Sequence, residues 1–309
     1  MKGPLFFAKI LLFGEYGIIK DSKGLSIPYN FFKGTLKWAE EETEVTLASH
    51  QSLCDYTEYL KGLPEELLRL DWEALQADLD RHLYFDSSIP QGYGVGSSGA
   101  LVAAFYDRYA VDKISPQADL TPEKLSRLKS IFAAMESYFH GQSSGLDPLN
   151  SYLSLPLLIH SKDKIETTGI PAQNAQGKGA VFLIDSGGSS VTAPMVSLFL
   201  ENMKEEGFRK MMRDEFTQMT DRCVENFLKG NLKSLLSNMK SLSALVLQHF
   251  KPMIPAQFHE LWKKGLETNA YYLKLCGSGG GGYVLGFTQD LEAAQKALQG
   301  YRLEVVHYF

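Results

Sequence analysis

Residues 90–105 read PQGYGVGSSGALVAAF. Gly92, Gly94 and Gly96 alternate with other residues, Ser97 and Ser98 follow, and Gly99 opens an uncharged run of small and apolar side chains. From Ala100 to Tyr109 there is neither Gly nor Pro, so the run reads as a helix fed by a glycine loop. The first N–H groups of a helix lack intrahelical partners, and the helix dipole makes that end positive. Two readings stay open on these residues. One is a tight turn closed by a serine cap. The other is an anion site whose glycines let the backbone approach phosphate oxygens.

GVGSSG also fits G-x-G-x-x-G, the dinucleotide pattern. That pattern needs a strand directly before it and an acidic residue ending the next strand about 20 residues on. DSSIPQ before the loop and KISPQADLTPEK after it do not read as strands. The context therefore argues against a nicotinamide-dependent dehydrogenase, and the P-loop pattern G-x-x-x-x-G-K-[ST] is absent from the sequence.

The composition narrows the classes further. The 309 residues are 44% hydrophobic and 22% charged, an ordinary globular balance with length for about two cores. Net charge is −5 with both signs scattered, so a basic nucleic-acid-binding stripe is not expected, and any bound anion must be held by local groups. Cys54, Cys223 and Cys276 lie far apart with no C-x-x-C, which argues against structural zinc and a disulfide framework. The apolar N-terminal stretch is interrupted by Lys9 and Glu15, and no small-residue cleavage site follows. No apolar run approaches the ~18 residues of a membrane span. A cytoplasmic protein without nucleic-acid or membrane partners is expected, its oligomeric state open between monomer and homodimer.

Along the chain, AKILLFG, YGIIK, LSIPYNF, GTLKWAE and TEVTLAS read as strands, and residues 64–83 read as a helix. Thr121-Pro122-Glu123 starts a second helix, with Leu125, Leu128, Phe132, Met135 and Phe139 along one stripe. GQSSGLDPLNS reads as a loop, and PLLIH, KIETTG and AVFLIDS as short strands. The flexible GGSS at 187–190 is taken as a domain boundary, dividing the chain into 1–187 and 188–309. Helices are expected over 197–213, 214–229, 231–249 and 255–267. The last 40 residues read as strand, glycine loop, strand, helix, strand, which suggests an α+β sandwich of ferredoxin-like type.

Three further places carry polar groups out of step with a simple fold. CGSGGGG, residues 276–282, holds five glycines in six positions from 277, more than a hairpin needs. Such a run costs folding entropy and suggests backbone wrapped close around a ligand. Glu136 projects on the flank of the apolar arc of its helix, where a carboxylate needs a partner: Mg²⁺ or a lysine. Asp147, eleven residues on, follows a Ser-Ser-Gly turn and by itself reads as a cap or turn residue. Lys9 interrupts the apolar strand FFAKILLF, either at an edge or pointing into a cleft.

Together these stretches resemble the GHMP kinase family, with three motifs in order. AKILLFGEYGII is similar to the first motif, IPQGYGVGSSGA to the second, P-x-x-x-G-L-G-S-S-A, and KLCGSGGGG to the third, K-L-T-G-A-G-G-G-G. HGQSSGLD is most similar to the segment H-G-x-x-S-G-[IV]-D of the family's mevalonate kinases, and the glutamate eleven residues before that aspartate falls on Glu136. The resemblance implies an N-terminal ATP/Mg-binding domain of ribosomal-protein S5-like type, a ferredoxin-like C-terminal domain, and an active site in the cleft between them. It implies an ATP- and Mg²⁺-dependent phosphotransferase acting on the primary hydroxyl of mevalonate or a similar hydroxy acid, in isoprenoid-precursor synthesis. Another acceptor, phosphomevalonate above all, is the alternative.

By that resemblance Gly92, Gly94, Gly96, Ser97, Ser98 and Gly99 would hold ATP phosphates, with Gly277, Ser278, Gly279 and Gly280 closing over them. Ser98 and Glu136 would ligate Mg²⁺. Asp147 would be the general base and Lys9 its cationic partner. Glu15 and Tyr16 would border the acceptor. Tyr16 stands where mevalonate kinases carry a histidine, and Gly99 where the family carries alanine. A non-catalytic nucleotide-binding regulator would be expected to lack Lys9, Glu136 or Asp147, and all three are present.

Overall fold

The computed structural model of the chain describes residues 3–161 and 164–309. The chain gathers into two compact units, neither of them one continuous run. The first takes the residues up to Lys9, Pro28–Pro90 and Gly96–Leu155; the second takes Ile10–Ile27, Gln91–Val95 and Pro156–Phe309. Strands β1 (Phe6–Phe13) and β2 (Gly24–Trp38) each contribute to both.

In the first unit α1 (Glu44–Lys61) occupies TEVTLAS and beyond, where the sequence suggested a strand. The cap decides the outcome. Thr43 accepts from the Thr46 amide while the Thr46 hydroxyl accepts from the Thr43 amide, and Leu53, Tyr56 and Leu60 are buried on one face. That reciprocal cap and the buried stripe outweigh the weak strand preference of Val45 and Thr46. The helix expected over 64–83 shortens to α2 (Trp72–Leu79), because Asp71 caps it and Leu70 bridges to Ala110. The chain then enters β3 (Leu83–Ser87), which the sequence reading did not anticipate, paired antiparallel with the second half of β2. Helix α3 (Ser97–Tyr109) is buried nearly throughout, and α4 (Pro122–His140) starts on the expected Thr121 cap. The supposed loop GQSSGLDPLNS gives way to α5 (Leu146–Leu153), in which Asp147 alone is not buried.

In the second unit β4 (Leu157–Ser161) pairs with Gly24–Ser26 of β2 and with β5 (Lys164–Thr167). YGIIK, read as a strand, is a 3₁₀ turn over Gly17–Lys20. A separate antiparallel sheet begins with β6 (Ala180–Asp185). Helices α6 (Thr192–Asn202), α7 (Glu206–Met211), α8 (Thr217–Leu228), α9 (Leu232–His249) and α10 (His259–Thr268) follow. The chain closes with β7 (Tyr272–Leu275), β8 (Tyr283–Thr288), α11 (Leu291–Ala297) and β9 (Leu303–Tyr308). The sheet order β7-β8-β6-β9 makes β6 a central strand, hydrogen-bonded to β8 on one side and β9 on the other. The ferredoxin-like α+β pattern therefore draws its first strand from the N-terminal side of the boundary expected at residue 187. No helix among the described residues is long and apolar enough to cross a membrane, and no disulfide joins the three cysteines among the described residues.

His307, on β9, is 1% exposed, and neither ring nitrogen finds a hydrogen-bond partner among the described residues. Its ring lies 5.3 Å from that of Phe227 and 5.1 Å from that of Phe309. Burial pushes its pKa down. Below about pH 6.5 the unfolded chain therefore takes up a proton that the folded chain refuses, and stability falls as the pH drops; above that value the group is silent. In urea unfolding at pH 8 and pH 5, His307→Phe should lose less stability in acid than the parent. Equal losses in the two proteins would count against this origin.

Candidate functional site

Two constellations of polar groups stand out, one in each unit. In the first, α3 and α5 pack against each other at their starts. The approach is close: a Cβ on Gly99 would lie 2.7 Å from the Asp147 carbonyl carbon and 2.8 Å from the Pro148 nitrogen. Gly145 caps α5 in the left-handed region, at φ 72°, and a Cβ there would strike the Lys129 carbonyl oxygen of α4. These two glycines seat Asp147 in the first turn of α5, against the α3 N-terminus. Lys9 reaches the same place from β1. Its Nζ lies 2.8 Å from Asp147 Oδ1, with the lysine side chain 5% exposed and the aspartate 36%. The Lys9 stem runs past Gly96, where a Cβ would approach its Cγ to 2.9 Å.

Glu136, on α4, is 3% exposed and has two serine partners rather than a lysine. Ser98 Oγ donates to its Oε1 at 2.9 Å, and Ser143 Oγ donates to Oε2. Ser98 Oγ also lies 3.0 Å from His140 Nε2. Burial pushes the Glu136 carboxyl up to about 7, and the nearby Asp147 charge adds to the rise; the two serine hydrogen bonds and Lys9 pull the other way. Sequence reasoning missed Ser143 and His140, although both lie in HGQSSGLD.

The second constellation joins three segments of the other unit. A Cβ on Gly94 would lie 2.7 Å from the Cys276 carbonyl oxygen, so the 91–95 and 276–282 loops touch. The GGSS stretch, read as a flexible break, is tied to both: the Ser190 amide donates to Gly92 O at 2.8 Å, and the Gly282 amide donates to Gly188 O at 2.6 Å. The ring of Tyr93 meets that of Tyr283 edge-on at 5.0 Å. Glu15 and Tyr16, expected beside an acceptor, both have their polar ends engaged. The Glu15 carboxylate pairs with the buried Lys274 Nζ, which also donates to Leu275 O at 2.8 Å. The Tyr16 hydroxyl donates to Ser278 O at 2.7 Å. Lys274 was missed at the sequence level, although it opens the KLCGSGGGG stretch.

The α3 N-terminus, the Lys9–Asp147 pair and a buried carboxyl with hydroxyl partners provide together an anion-attracting helix end, a base and oxygen ligands for a hard cation. Two family models match the chain. GHMP kinases N terminal domain matches residues 61–154, and GHMP kinases C terminal matches 223–305, together more than half of the chain. The chain belongs to the GHMP kinase family. GHMP kinases are ATP-dependent kinases of small molecules.

Comparison with curated proteins finds no match. Among solved structures, mevalonate kinase of L. major in complex with R-mevalonate is similar at TM-score 0.63 and 17% identity, covering 100% of this chain and 99% of that one. Galactokinase of Lactococcus lactis complexed with galactose gives 0.63 at 13% identity, with 98% and 93% covered. Phosphomevalonate kinase of Streptococcus pneumoniae in complex with phosphomevalonate and AMPPNP gives 0.63 at 12% identity, with 99% and 100% covered. Three acceptors on one fold at one TM-score mean that the GHMP kinase fold leaves the acceptor undecided.

The Gly99 contact separates two physical effects. Helix propensity alone favours Gly99→Ala by up to about 1 kcal/mol. The backbone of α5 leaves no room for the added methyl, and overpacking of this kind costs roughly 1–3 kcal/mol. Urea unfolding should show Gly99→Ala to be the less stable protein; a more stable variant would mean that α3 and α5 separate freely.

Proposed function

We propose that the chain is an ATP- and Mg²⁺-dependent mevalonate kinase, transferring the γ-phosphoryl group to the primary hydroxyl of mevalonate. The observation that carries this reading is the 2.8 Å contact between buried Lys9 and half-exposed Asp147, beside the α3 N-terminus. Phosphoryl transfer asks a protein for positioning and charge neutralisation more than for covalent chemistry. Asp147 accepts the proton of the attacking hydroxyl. Lys9, paired with that aspartate, stabilises charge on the attacking oxygen. The free N–H groups and dipole at Gly96–Gly99 take phosphate oxygens.

The donor set suits Mg²⁺. Ser98 and Glu136 offer oxygen, and Lys9 stands near two carboxylates, Asp147 and Glu136. Among the described residues, no group of three or more His, Cys, Asp and Glu side chains is arranged to hold a metal ion by itself. Mg²⁺ requires none, since it is held by one or two carboxylates together with substrate phosphates and water. Ser98 and Glu136 would hold the ion, which would supply neutralisation of phosphate charge. The choice of mevalonate over the other acceptors rests on HGQSSGLD and on Glu136 eleven residues before Asp147.

An ADP-release assay with mevalonate, phosphomevalonate, homoserine and galactose tests the reading. Turnover is expected with mevalonate; turnover with only one of the others would reassign the acceptor, and nucleotide binding without turnover would point to a regulator. Asp147→Asn should lower kcat by about 10²–10⁴-fold while leaving nucleotide affinity nearly unchanged. An unaltered kcat removes Asp147 from the mechanism. Glu136→Gln should raise the Mg²⁺ concentration at half-maximal rate by about tenfold or more, read from a metal titration.

A further inference from the structure

Tyr16 occupies a strained position for a reason that its place beside Glu15 does not explain. Its φ is 59°, in the left-handed region that a bulky side chain seldom adopts. That turn carries the ring inward, 4.7 Å from the Phe199 ring and 5.8 Å from the Phe250 ring, and leaves the residue 7% exposed. The hydroxyl ends on Ser278 O at 2.7 Å, near the start of the 277–282 glycine loop.

The same loop is held at two further points. Ser190 Oγ donates to Gly279 O, and the Gly280 amide donates to Met253 O at 2.6 Å. Gly277, Gly279 and Gly280 have φ of 65°, 76° and 81°, so the loop has a conformation that few residues adopt and that a free glycine chain would visit only briefly. Ordering such a chain at the moment a ligand binds would consume binding free energy, and fixing it beforehand avoids that loss.

We propose that Tyr16 and Ser190 are positioning residues that preset the 277–280 loop for nucleotide phosphate, and that Tyr16 does not contact the acceptor. The inference rests on the kinase reading for the identity of the ligand. The geometric part, a loop latched by a tyrosine hydroxyl and a serine hydroxyl, stands on the hydrogen bonds alone.

Tyr16→Phe removes the hydroxyl and keeps the ring against Phe199 and Phe250. In calorimetric titration of the full chain with a non-hydrolysable ATP analogue and Mg²⁺, the variant should bind about 3–10-fold more weakly, the worth of one hydrogen bond. The KM for mevalonate should be unchanged. Ser190→Ala should repeat the nucleotide effect, and Ser190→Thr should restore it. Amide hydrogen exchange of the unliganded protein should be faster in residues 277–282 of Tyr16→Phe and unchanged in β7 and β8, which a general loss of stability would not produce. A raised acceptor KM with unchanged nucleotide affinity overturns the proposal in favour of an acceptor contact. Unchanged nucleotide affinity, acceptor KM and loop exchange in Tyr16→Phe, with the parent binding the analogue, overturn the latch alone. A parent that binds no analogue overturns the kinase reading and the loop's ligand with it.

Discussion

A lysine ammonium 5% exposed to solvent is tolerated only beside a charge of opposite sign, and in this protein that charge is Asp147. The requirement organises the first unit. Lys9 must leave β1 on the side of α5, Asp147 must sit at the open first turn of that helix, and α3 must come close enough to shelter both. Gly99 and Gly145 permit the last two by omitting side chains where backbones meet. Burial, with the Asp147 charge adding to it, pushes the nearby Glu136 carboxyl up, so that group is positioned to gain from a further positive charge.

The second unit solves a different problem. Its glycine loop must be shaped without side chains of its own. The shape comes from neighbours: Tyr16, Ser190 and the Met253 carbonyl hold the loop backbone at three points. The buried Glu15–Lys274 pair fixes the strand leading into it. Removing either partner would strand a charge in a buried place, which links the first-motif turn and the third-motif loop energetically as well as in space.

Much of the site was legible in the sequence because it is written in local signals. A glycine loop before a helix, a lysine inside an apolar strand, a carboxylate on the flank of a helical stripe, and five glycines in six residues each break an expected pattern. The sequence reading failed where local preference and tertiary demand diverge. Val45 and Thr46 suggest a strand until the Thr43 cap is seen. DPLNS suggests a loop until burial beneath α3 is known. GGSS suggests a linker until its backbone is found bonded to two other loops.

Composition, spacing and periodicity suffice for the residue types available for chemistry, the order of the three motifs and the α+β class. That Glu136 is served by Ser98 and Ser143, that Tyr16 faces a loop carbonyl and that β6 is a central strand of the second sheet emerge only on folding. Each of these depends on residues 7 to 262 positions apart in the chain. Nothing in local sequence encodes a distance of that kind; it follows from which apolar surfaces can be buried together.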